Sequence, residues 1–133
     1  MWLLAVIILG ANILFGGLLM AILPSLVVPF AGLVTHLAFA GFLGLTFAPS
    51  DGWHIVLLHL PTMVIELGAY VFFMLGVYRL GINLLLPRSR GFDSRSASYL
   101  QGIIDLGWLC VPAILLLVLG AVYEAFEVIV LLR

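Results

Sequence analysis

Lysine is absent from this chain, and charged residues of every kind make up only 8% of it. A soluble domain carries about a quarter charged residues, so the shortage excludes a surface built for water. Between Met1 and Leu86 the formal charges are Asp51, Glu66 and Arg79, too few to solvate a stretch of that length. The net charge of -1 excludes nucleic acid as a partner, because phosphate binding needs clustered Lys and Arg. Cys110 has no second cysteine to pair with, so no internal disulfide forms and the redox compartment cannot be read; within its apolar run it reads as packing. Length excludes a separate soluble catalytic domain, since 133 residues supply about four bilayer-spanning helices of about 20 residues and little more.

What the chain does have is apolar length, with 65% hydrophobic residues. It reads as an all-α, polytopic transmembrane helical bundle of about four spans in a single domain, 1–133, with the lipid bilayer as its solvent. The spans fall at about 1–23, 26–47, 53–80 and 103–132, with a polar loop at about 87–101. Pro24 is expected to end the first span, and Ala48-Pro49-Ser50-Asp51-Gly52 the second. The third, with a possible extension to Leu86, stops at Pro87, which cannot continue a helix comfortably. The fourth is longer than a bilayer needs and carries Pro112, so it should bend, tilt or protrude. The first span lacks the basic leading segment of a secretory signal and reads as a permanent helix.

Arginine placement sets the expected orientation. Arg79, Arg88, Arg90 and Arg95 all fall between the third and fourth spans, whereas the turn between the second and third has Asp51 and no basic residue. The positive-inside tendency then puts the arginine loop in the cytoplasm of a multi-pass cell-membrane protein, with both termini outside. An outward start at Met1 points to help from a partner or from an upstream helix. Arg88, Arg90 and Arg95 could each favour anionic lipid by about 1 kcal/mol, although a solvated connector is the plainer reading.

Small residues at four-residue spacing let helices approach closely in lipid. Gly32, His36, Ala40 and Gly44 form such a stripe on the second span, and Gly17 with Ala21 and Ala121 with Ala125 repeat it once each. These are read as packing positions within the chain, or else as an interface to another protein.

Ionisable residues inside the spans carry the chemistry. Glu66 lies thirteen residues after Trp53, which places it about 20 Å below the outer boundary, near the bilayer midplane. An isolated charge at that depth costs at least about 2.5 kcal/mol, so Glu66 must be neutral, paired or facing a polar cavity. His59, Thr62 and Tyr70 share its helical face. Glu124 reaches a comparable depth from the end of the antiparallel fourth span, and the two carboxyls are expected to come together. Glu127 is expected at the outer surface, with Trp53 and His54. Two readings stay open. In one, Glu66 and Glu124 are neutral or partnered by His36, His59, Tyr70 or Tyr123 and act as interhelical glue; in the other they line an ion or proton path. His36, His54 and His59 have no compact ligand spacing, so no metal is expected. No nucleophile with a base, glycine-rich phosphate cradle or cysteine pair occurs, so neither enzyme activity nor a cofactor is expected.

Pro61-Thr62-Met63-Val64-Ile65-Glu66-Leu67 followed by Gly76-Val77-Tyr78-Arg79-Leu80-Gly81, with Ala121-Val122-Tyr123-Glu124-Ala125-Phe126 near the end, resembles the stage II sporulation protein M family. That family has a Pro-His-Gly, Glu-Leu and later glycine pattern and a closing Ala, Glu-Ala-Phe segment. Phe30-Ala31-Gly32 stands where members often have Asn-Gly, and Met1-Trp2 where they have paired asparagines. Thr62 and Met63 replace His-Gly, so Glu66 and Glu124 are the polar positions that the likeness retains. The resemblance implies a shortened member without catalytic activity, an integral membrane scaffold or accessory subunit. Such a subunit packs against other integral membrane proteins in a hetero-complex or homo-oligomer. The alternative expectation is a small channel or transporter subunit with its path at Glu66 and Glu124.

Overall fold

The computed structural model describes residues 1–46 and 53–131. The described chain is mostly helical: α1 (Trp2–Val27), α2 (Ala31–Thr46), α3 (Trp53–Leu85) and α4 (Arg95–Phe126), the last continuing as a wide π turn over Glu127–Leu131. Among the described residues three helices are long and apolar enough to cross a membrane, Trp2–Val27, Val56–Leu85 and Arg95–Val130. The described part of α2 has 16 residues, which is about 24 Å of helix against about 30 Å of hydrocarbon. The second turn expected from the sequence, at 48–52, lies outside the described residues.

Pro24 does not end the first helix, which runs on to Val27. Residues Asn12–Ile22 are π-helical, a wider winding that changes the hydrogen-bond register ahead of the proline. Proline has no N–H to give the Met20 carbonyl its α-helical partner. Thr35 Oγ1 of α2 donates to that carbonyl instead, at 2.5 Å. The residue expected to break α1 thus ties α1 to its neighbour. The turn at 28–30 follows, with Phe30 at a φ of 65° and Ser25 Oγ accepting from Gly32 N at 2.7 Å. Gly32 lies so close to the Ala21 carbonyl and Ser25 Oγ that a methyl group there would overlap both.

The fourth helix starts at Arg95, eight residues earlier than its apolar run suggests, because Ser94 caps it by accepting from Ala97 N at 3.2 Å. Part of the expected loop at 87–101 is therefore helix. The true connection, 86–94, contains a 3-10 turn at Arg88–Arg90 closed by Gly91 at a φ of 79°, in the left-handed region that glycine adopts without penalty.

α3 and α4 form an antiparallel hairpin that builds most of the core. Ala69, Phe73, Val77 and Leu80 meet Leu106, Ala113 and Leu117, with Ala21 of α1 beside them. Glycine makes the close approaches: Gly76 faces Leu106, Gly102 faces Leu80 and Asn83, and Gly120 faces Ile65 and Glu66. α1 lies parallel to α3, setting Gly16 on Tyr70 and Gly17 on Phe73. Tyr99 Oη donates to Leu26 O at 3.0 Å, and the Phe30 and Tyr78 rings lie 6.0 Å apart. The 28–30 turn and the 86–94 connection therefore share one end of the bundle. Leu, Ile, Val, Phe and Trp side chains cover the outside of the helices, as suits a hydrocarbon solvent.

Candidate functional site

The polar stripe on α3 is divided between two neighbouring helices. Asn12, at the start of the π-helical stretch of α1, donates from Nδ2 to Glu66 Oε1 at 2.5 Å and accepts from Tyr70 Oη on its Oδ1 at 3.2 Å. One amide thus serves as donor and acceptor across the α1–α3 interface, where each unmade bond would leave a polar group in hydrocarbon. Gly16, one turn on, makes room: a methyl there would overlap the Tyr70 ring. The His36 ring lies 5.3 Å from that of Tyr70. Its Nδ1 is 3.0 Å from Gly32 O, and since a carbonyl only accepts, Nδ1 carries the proton. His36 Nε2 is buried without a hydrogen-bond partner among the described residues.

A second cluster joins α3 to α4. His59 Nδ1 lies 3.1 Å from Glu127 Oε2 and 3.2 Å from Oε1, and Thr62 Oγ1 donates to Oε2 at 3.3 Å. Glu127 is fully buried, which overturns its expected place at the outer surface. The reason is periodic. Glu127 stands seven residues after Gly120 and fourteen after Ala113, both of which face α3, so it follows them on the same face.

The candidate residues thus separate. Glu66 and Tyr70 turn to α1, and His59 and Thr62 to α4. Glu124 is half-buried within coulombic reach of Glu66 and His59, but among the described residues the two carboxylates share no hydrogen bond. Gly17, Ala21, Gly32, Ala121 and Ala125 are buried at helix contacts, whereas Ala40 and Gly44 are exposed, so the stripe packs within the described chain only over its first part. Beyond His36 a cleft opens.

That cleft, of about 410 Å³, lies between α1, α2 and α3. Its polar wall is Asn12, His59, Glu66 and Tyr70; Phe39, Ala40, Gly44, Met63 and Leu67 complete it. Asn12 is a residue that sequence reasoning passed over, and Glu127 one that it set at the outer surface. Among the described residues no group of three or more His, Cys, Asp and Glu is placed to hold a metal ion. At the opposite end Arg90 Nε donates to Asn83 Oδ1 at 3.3 Å and Ser98 Oγ to Asn83 O at 2.7 Å, closing the base of the α3–α4 hairpin.

The strength of the first cluster is measurable by a double-mutant cycle of Asn12→Leu and Glu66→Leu in bicelles. A coupling of about 1 kcal/mol is expected, within the range found for hydrogen bonds between membrane helices. Additive effects would mean that the contact contributes nothing.

No protein-family model, curated protein or solved structure matches the chain.

Proposed function

We propose that the chain is a non-catalytic integral membrane scaffold or accessory subunit, as the likeness to stage II sporulation protein M implies. In this reading α2 completes a fourth crossing, the 86–94 connection is cytoplasmic and both ends of the described chain lie outside. The observation that carries it is a set of helical glycines that no neighbour among the described residues explains. Among the described residues, Gly10 on α1, Gly41 and Gly44 on α2 and Gly107 on α4 have no atom of another helix within 4 Å of where a Cβ would stand. Glycine costs about 1 kcal/mol relative to alanine inside a helix, and in lipid the return for that cost is close approach of another backbone. The polar side chains agree with this reading, because Glu66 and Glu127 are bonded to neighbouring helices.

The test is affinity purification from native membranes. A fixed set of integral membrane proteins should accompany the chain, and Gly41→Leu with Gly107→Leu should release them while the isolated chain keeps its helicity and unfolding midpoint. The channel or transporter reading is favoured by one feature, the cleft beside Glu66 and His59. Ion or proton flux through liposomes containing the pure chain would decide for it and against the scaffold.

A further inference from the structure

The 86–94 connection holds a second concavity, of about 590 Å³, where α3 ends and α4 begins. Its lining has two chemistries side by side. Leu85, Leu86 and Pro87 form an apolar lip in which both leucines are about half exposed, and Arg88, Ser89 and Arg95 stand beside it. Asp93 is the one acid among the described residues that line it. Among the described residues neither the Arg88 nor the Arg95 guanidinium has an ion-pair or hydrogen-bond partner, in contrast to that of Arg90, which is committed to Asn83. The N-terminus of the 32-residue α4, at Arg95, adds its positive end to the same place.

We propose that this concavity binds the headgroup of an anionic phospholipid, with the phosphoryl oxygens between Arg88 and Arg95 and an acyl chain along Leu85 and Leu86. Guanidinium is the side-chain group best matched to phosphate, offering a planar fork of donors. The apolar lip selects a lipid over a free anion, because a small phosphate ion has nothing to place on two exposed leucines. Position agrees with chemistry: α3 carries an apolar span up to Leu85, so the two arginines stand at the level where lipid phosphates lie. Ser89 Oγ donates to Leu86 O at 2.8 Å, which shapes the turn that presents Arg88.

The test uses the full chain in dodecyl maltoside, titrated with fluorescent phosphatidylglycerol and, separately, with fluorescent phosphatidylcholine. Phosphatidylglycerol should bind more tightly, and Arg88→Gln with Arg95→Gln should weaken it about thirtyfold. Arg79→Gln removes an exposed charge from α3 outside the concavity and should change the affinity less than twofold. Both arginines are exposed, and an unchanged unfolding midpoint of the double variant shows that the bundle is intact. Equal loss in Arg79→Gln would reduce the effect to general charge attraction and overturn the proposal. So would equal binding of the two lipids. Full displacement of phosphatidylglycerol by an equal concentration of inorganic phosphate would assign the site to a free anion and overturn the lipid.

Discussion

Glu127→Ala is expected to destabilise the bundle by about 2 kcal/mol, measured by denaturant titration in mixed micelles. Glu127 is fully buried and joins His59 and Thr62 of α3. Removing one member of a buried pair costs about 3–5 kcal/mol in water-soluble proteins, because its partner is stranded. Two features reduce the figure here. The His59 side chain remains 25% exposed and can find other partners, and hydrogen bonds between membrane helices average well below their expected worth. Thr62 has no such outlet, being fully buried, and the lost side-chain volume adds a cavity. Glu127→Gln keeps the volume and an acceptor for Thr62, and should cost less than about 1 kcal/mol. A loss of only a few tenths in the alanine variant would show that the cluster is incidental to the hairpin.

The second large effect belongs to Gly102. A Cβ there would stand 3.1 Å from Leu80 Cα and 3.2 Å from Asn83 Cβ, so part of the obstacle is backbone and cannot rotate away. Gly102→Val should cost about 3 kcal/mol, at the upper end of overpacking effects, by forcing α3 and α4 apart where Asn83 and Ser98 meet. Gly107→Ala is the control. Among the described residues no atom of another helix lies within 4 Å of its Cβ position, so alanine should raise helix stability by up to about 1 kcal/mol in the isolated chain. Equal behaviour of the two substitutions would mean that the hairpin is not held by close approach at Gly102.

The apolar runs and Pro87 announce helices and their order, and the spacing of His59, Thr62, Glu66 and Tyr70 announces one polar face on α3. What that face meets is a tertiary fact. Asn12 looks like an isolated polar residue in a long apolar run until α1 is laid parallel to α3. Glu127, three residues beyond Glu124, sits where an end-of-span estimate puts water; the seven-residue step from Ala113 through Gly120 was the available signal. Pro24 misleads because the partner of the Met20 carbonyl, Thr35, comes from the next helix. Ala40 and Gly44 repeat the spacing of Gly32, but periodicity cannot say how far along a stripe the neighbour continues.

The antiparallel pairing of α3 and α4 also sets an order of assembly. Asn83 and Ser98 are separated by 15 residues and His59 and Glu127 by 68, with Gly76 on Leu106 and Gly120 on Glu66 between them. Each contact shortens the remaining loop for the next, so the pair closes like a zip from the arginine end and the entropy of closure is met once, at the short connection. Opening runs in reverse. Backbone amides near Glu127 should exchange with deuterium soonest and those around Gly102 last, a gradient directed along the bilayer normal.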